Sequence, residues 1–204
     1  NQGHHWDFGS SQSVGQVREH NEDSILALSS LIPMDGELVP IGLFIVADGM
    51  GGHQSGEIAS NLAVRTFAAR IIQEIIQPQL EEERSIAQME ITEVLTESLQ
   101  AANTTIVSNA PGSGTTMTAV LIFAGQLFVA HVGDSRAYAI SSDGDTSILT
   151  RDHSLVQRMI ELGQLTEEGA ANHPQRNVLY KALGQGDPLS PDIFQLPLPA
   201  NGHI

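Results

Sequence analysis

Residues 13–204 read as one α+β domain, and the order of three patterns predicts it. Strand-like runs around glycines and Asp-Gly pairs come first, two proline-free helical stretches follow, and a series of further strand-like runs comes after them. A strand region, a helix pair and then successive antiparallel strands mark α+β, where alternating strands and helices would mark α/β. At 204 residues and 21.8 kDa the chain is large enough for one domain to bury about 70% of its unfolded surface without staples.

The clearest element is residues 43–57. Leu43, Phe44, Ile45 and Val46 form a short apolar strand that ends at Asp48, and Gly49, Gly51 and Gly52 stop it. An acid followed by bare backbone makes a good ligand set for a hard cation, although a plain Asp-Gly turn has the same spelling. Before it, residues 13–28 predict a strand with a polar cluster of Arg18, Glu22 and Asp23, which on its own also reads as a surface salt-bridge cluster. Adjacent carboxylates in a strand project to opposite faces, so one can reach a site while its neighbour supports it. A turn at Asp35-Gly36 predicts a hairpin that sets Asp23 and Asp48 on neighbouring strands. Residues 1–12 have no period and predict a frayed tail; the His4-His5 pair either binds metal or belongs to that tail.

Residues 54–77 carry Val64, Phe67, Ile71 and Ile75 at helical spacing, and Pro78 predicts the helix end. A second helix is predicted over about 82–107 from Ile91, Leu95, Ala102 and Ile106, antiparallel to the first. The loop Pro111–Thr116 has glycines but no lysine, which excludes a Walker-type phosphate loop. Residues 115–150 predict a meander, in which Asp134 is a second acid that directly follows a glycine at a strand end. From Asp152 to about 187 a helical stretch passes into irregular polar sequence, which predicts an insertion that covers a site. Residues 193–198 predict a short edge strand, limited by Pro197 and Pro199.

Composition excludes several chemistries. The chain has no cysteine, which removes disulfides, zinc-thiolate sites and every cysteine nucleophile. A formal charge of −15 argues against a nucleic-acid partner. No window approaches the ~18 apolar residues of a membrane helix, and the first residues lack the pattern of a signal peptide, so a soluble cytoplasmic protein is expected.

Five stretches in order carry a family resemblance: Arg18–Asp23 (RxxxED), Val46–Glu57 (VADGMGGHxxGE), His131–Tyr138 (HVGDSRAY), Thr150–Val156 (TRDHSLV) and His173–Gly184 (HPxRNVLxxALG). Together they resemble the bacterial branch of the metal-dependent serine/threonine protein phosphatases of type 2C, over roughly residues 13–196. The resemblance implies a sandwich of two antiparallel sheets flanked by helix pairs. It implies hydrolysis of phosphoserine and phosphothreonine in proteins, opposing a protein kinase, by direct attack of a water bridging two Mn²⁺ or Mg²⁺ ions.

In that family pattern Asp48 bridges the two cations and the Gly49 carbonyl serves one of them. Glu22 and Asp23 act near them, partly through water, and Asp134 matches the residue of a third, weaker site. Arg18 matches the group that grips the substrate phosphate, a bidentate task suited to guanidinium. His53 matches a histidine that handles substrate or protonates the leaving alcohol, and equally reads as a support for the glycine loop. His153 and His173 match structural positions on the flap. Family members also carry a later SDG-type strand with an outer helix pair and a DN motif, which supply two further aspartate ligands; this sequence shows neither. The expectation is therefore a chain without the C-terminal strand and outer helix pair, and a weak catalyst by itself. The alternative function is a non-catalytic module that binds phosphoproteins through a degraded site.

Overall fold

A computed structural model describes residues 7–16, 20–34, 36–51, 54–81, 88–186, 188–199 and 201–204. The chain forms β1 (Asp23–Met34), β2 (Glu37–Met50), α1 (Gln54–Ile71) and a π turn over Ile72–Ile76, which continues into α2 (Gln77–Leu80). Then come α3 (Gln88–Asn109), β3 (Gly114–Thr115), β4 (Met117–Phe123), β5 (Gln126–Val132), β6 (Tyr138–Ile140) and β7 (Thr146–Ile148). Then follow α4 (Leu155–Glu161) and α5 (Glu167–Ala171), and β8 (Asp192–Pro197) returns to the sheet.

The main sheet is antiparallel in the order β1-β2-β4-β5-β8, with β3 on β2, while β6 and β7 form a separate hairpin whose Ile140 also bridges His203. The α+β class and the antiparallel layout match the expectation, and the second sheet is reduced to the β6–β7 hairpin. The hairpin predicted at Asp35-Gly36 is present: Met34 faces Glu37, Gly36 has φ +82°, and Asp23 lies directly opposite Asp48. The first predicted strand is shorter than read, because pairing begins only at Asp23 and residues 13–16 form no strand.

Strand periodicity sorts the sheet into two faces. Leu43, Ile45 and Ala47 of β2, Met117, Ala119 and Leu121 of β4, and Phe128, Ala130 and Val132 of β5 are buried under the helix pair. Val64, Phe67, Ile71 and Ile75 of the first helix and Ile91, Leu95, Ala102 and Ile106 of α3 meet them, as their spacing predicts. Each of the larger side chains among them contributes about 1.5–3 kcal/mol of burial, so packing on the sheet rather than intrinsic propensity fixes the pair. The predicted helix end at Pro78 is corrected by the π turn. Proline has no N–H and clashes with the carbonyl four residues back. The chain widens instead, with the Gln77 N–H bonded to the Ile72 carbonyl, and Pro78 then falls in the first turn of α2, where no N–H is needed. Of the second predicted helix, residues 82–87 lie outside the described residues, and the rest runs from Gln88 to Asn109.

The opposite face is graded along the strands. Two cross-strand rows are apolar: Ile122 with Leu127 and Leu196, and Phe44 with Val120, Val129 and Phe194. Phe8 packs its ring edgewise on Phe44 at 5.8 Å, so part of the segment read as a frayed tail lies on the sheet. The next row is Ile25, Val46, Thr118, His131 and Asp192, and beyond it stand Asp23 and Asp48. Along β2 the alternation that buries Ala47 exposes Asp48. The strands thus deliver polar groups to one end of an otherwise apolar face.

Candidate active site

Asp48 is held by its backbone. Its N–H donates to Thr116 Oγ1 at 2.9 Å, and its carbonyl accepts from the Thr116 N–H and from Thr115 Oγ1, each at 2.9 Å. Both threonines are buried. The β2–β4 pairing therefore continues through side chains at the point where the strand must present a carboxylate. Gly49 follows in a position that admits no side chain: a Cβ there would overlap the Gly56 carbonyl and stand 2.6 Å from the Glu22 carbonyl oxygen. The Gly49 N–H donates to that Glu22 carbonyl at 3.2 Å. The Glu22 carboxylate itself lies beside Gly56, within 3.0 Å of where a Cβ would be. Ser60 of α1 donates to the Glu22 carbonyl at 2.6 Å, fixing the helix start against the strand start.

Glu22, Asp23, Asp48 and Gly49 are thus brought together, as the hairpin predicts. Asp23 and Asp48 are directly opposite on the same face, an arrangement of like charges that destabilises a sheet and that a cation between them would offset. All the donors are oxygens, which suits a hard divalent cation and not zinc. Among the described residues no three acidic or histidine side chains gather closely enough to hold a metal alone. The fit is that of a partial oxygen set. Arg18 and His53 lie outside the described residues.

Asp134 follows Gly133, which has φ +110° and no room for a Cβ, since Thr116 Cβ and Cγ2 would be 2.6 Å away. Burial pushes the Asp134 carboxyl above its ordinary value, and the charge of Asp152 adds to the rise. Asp152 is gripped by both ends of the Arg136 guanidinium, at 2.8 and 2.7 Å.

His153, just before α4, is bonded to this loop. Its N–H donates to the Gly133 carbonyl at 2.7 Å, and the Gly133 N–H donates to its Nδ1 at 3.0 Å, so the remaining proton sits on Nε2. Nε2 lies 3.2 Å from Asp192 Oδ2 but is misdirected for a good hydrogen bond, leaving that contact electrostatic. The ring packs on His131 at a centroid distance of 4.9 Å, and His131 bonds Thr118 Oγ1 and the Arg151 carbonyl. Burial lowers the pKa of both histidines. His173 sits in a turn, accepting from the Gln175 N–H at 3.2 Å.

The roles of Thr115, Thr116 and His131 escape sequence reading, because TTMT and HVG spell ordinary strand. The signal that could reveal them is register: Thr116 and Thr118 share the face of Asp48.

Comparison with known proteins gives a consistent result. A family profile described as Protein phosphatase 2C matches residues 20–185. The serine/threonine phosphatase stp of Listeria innocua is 37% identical over 183 residues, covering 90% of this chain and 69% of that protein. The solved serine/threonine phosphatase of S. agalactiae superposes with a TM-score of 0.73 at 35% identity, over 92% of this chain and 73% of that one. The catalytic domain of serine threonine protein phosphatase PstP, solved in complex with two manganese ions, gives a TM-score of 0.66 at 27% identity, over 92% of this chain and 70% of that one.

Proposed function

Because the chain belongs to the protein phosphatase 2C family of serine/threonine protein phosphatases, we propose that it removes phosphate from phosphoserine and phosphothreonine at the polar end of the sheet, using divalent cations held around Asp48. The observation that carries this reading is the cross-strand pair Asp23 and Asp48, with the Glu22 carboxylate and the Gly49–Gly56 contact beside it. When bound, a pair of such cations acidifies water for in-line attack and offsets charge on the phosphoryl oxygens. Asp48 and the Gly49 carbonyl would hold these cations, Mn²⁺ or Mg²⁺. Glu22 and Asp23 orient the surrounding water, and Asp134 serves a weaker additional site. Arg18 binds the phosphoryl oxygens in bidentate fashion, and His53 supplies a proton to the departing serine or threonine oxygen. The phosphatase names of the relatives favour this reading over a non-catalytic phosphoprotein-binding module. It places the chain in the cytoplasm, opposite a protein kinase; among the described residues no helix is long and apolar enough to cross a membrane.

The test separates cation from phosphate. Asp48→Ala is expected to lose divalent-ion binding and phosphopeptide hydrolysis together, while Arg18→Ala raises KM for the phosphopeptide and keeps cation affinity. Calorimetry and steady-state kinetics measure both. An Arg18 variant that loses the cation as fully as Asp48→Ala, or full activity in excess chelator, shows the roles to be wrongly assigned.

A further inference from the structure

We infer that Thr116 is a positioning residue that ties the Asp48 strand end to the Asp134 loop and thereby sets divalent-cation affinity, an inference that rests on the reading of these two acids as cation ligands. Asp48 and Asp134 lie in different parts of the chain, one on β2 and the other after β5. Neighbouring cation sites built on the two need their loops held in fixed relation, and the Thr116 side chain touches both loops. Its Oγ1 accepts from the Asp48 N–H at 2.9 Å and lies 2.7 Å from Ser135 Oγ, the residue next to Asp134. Its Cβ and methyl carbon fill the space beside Gly133, the residue on the other side of Asp134.

The rotamer is thus determined from two directions. Hydroxyl bonds fix one side of Cβ, and the Gly133 backbone occupies the other. At 1% exposure, water cannot replace either hydroxyl partner without opening the sheet. Thr118, two residues on and so on the same face, holds Ser135 a second time by donating to its carbonyl at 2.8 Å. Thr118 makes no bond to Asp48, so Thr116 alone of the two couples the acids. Outer hydrogen-bond partners of ligating groups are worth about 10–100-fold in metal affinity, and because the Thr116 hydroxyl holds the Asp48 backbone and the neighbour of Asp134 rather than the carboxylates themselves, the lower end of that range is expected.

The experiment uses residues 1–204 with Mn²⁺ as the probe, followed by calorimetry and by the electron paramagnetic resonance of free Mn²⁺, with urea unfolding in parallel. Thr116→Val keeps shape and removes the hydroxyl; it is expected to weaken Mn²⁺ binding about tenfold. Thr116→Ser restores the hydroxyl and should return affinity close to that of the parent. A role in packing alone predicts the reverse order, because serine lacks the methyl and valine keeps it. Ser135→Ala breaks the bridge from its far end while leaving the Asp48 N–H bonded, and should weaken Mn²⁺ in the same direction; it decides the matter where Thr116→Val does not fold. Parent-like Mn²⁺ affinity in Ser135→Ala, or in a folded Thr116→Val, overturns the inference, as does a Thr116→Ser variant no better than valine. Asp48→Asn distinguishes the failures. If it abolishes binding while the Thr116 and Ser135 variants do not, only the coupling is wrong; if it binds like the parent, or the parent takes up no Mn²⁺, the cation reading and the coupling fall together.

Discussion

Gly49 shows how much a single position can decide. The strand must end in a carboxylate and the helix must begin within one residue's width of it, so the backbones of Gly49, Gly56 and Glu22 touch where any Cβ would stand. Overpacking between side chains costs about 1–3 kcal/mol because they can turn aside, whereas here the obstacles are main-chain atoms on both sides. Gly49→Ala is therefore expected to lose about 3 kcal/mol or more in urea unfolding, together with cation binding. Gly36→Ala, whose Cβ would meet nothing within 4 Å but whose φ is +82°, should lose only about 1 kcal/mol. Equal losses at the two positions would show that turn strain, not contact, dominates at Gly49. Asp48 and this glycine are legible in the sequence because acid-then-glycine spelling exposes them. Thr116 and His131 are not, since their work depends on which residue of another strand they face.

Among the elements, the helix pair was readable from spacing alone, and its buried residues are those the period selects. Pro78 misleads because a proline forbids only an α turn, and a π turn restores the path. The strand runs after residue 135 were readable as strands but not as a separate hairpin, since pairing partners leave no trace in local composition. The irregular course of residues 172–186 was legible from its polar sequence, while the His153 contacts to the Gly133 loop were not. Those contacts make a prediction about pH. The pKa values of His131 and His153 are lowered, first by burial, and for His153 also by Lys181, against the pull of Asp192. Their folded pKa values lie below the ordinary 6.5, so the unfolded chain takes up protons first as pH falls. Stability is present in full above about 6.5 and is lost below it, by at most about 1.4 kcal/mol per histidine per pH unit, until the folded pKa is reached. Asp134 acts oppositely and lower, because its raised pKa favours the protonated folded form above 3.8. His153→Asn offers Oδ1 to the Gly133 N–H without titrating, so the decline in urea midpoint below pH 6.5 should shrink in that variant. An unchanged decline would assign it to other groups.

Across the whole molecule, acidic residues far outnumber basic ones. A formal −15 over 204 residues disfavours the compact state by self-repulsion, and at one sheet corner the strands set Asp23 against Asp48, next to Glu22. Two different responses to ions should follow, one diffuse and one local. Sodium chloride screens surface charges separated by more than a Debye length, about 10 Å at 0.1 M, and should raise Tm gradually without saturation at a fixed stoichiometry. Manganese at matched ionic strength should raise Tm further and by a saturable amount, since a ligand of the folded state alone stabilises it by RT ln(1 + [L]/Kd), about 2.7 kcal/mol at a hundredfold excess over Kd. Asp48→Asn removes one charge of the facing pair. It is expected to raise Tm in the absence of divalent ions, because the repulsion it relieves is no longer present, and to abolish only the manganese-specific increment while the sodium chloride response persists. Differential scanning calorimetry of both chains in the two salts measures all four quantities. A manganese increment that survives Asp48→Asn would place the stabilising cation elsewhere on the acidic surface, and an Asp48→Asn chain less stable than the parent without divalent ions would show that the carboxylate is anchored by its neighbours strongly enough to outweigh the repulsion from Asp23.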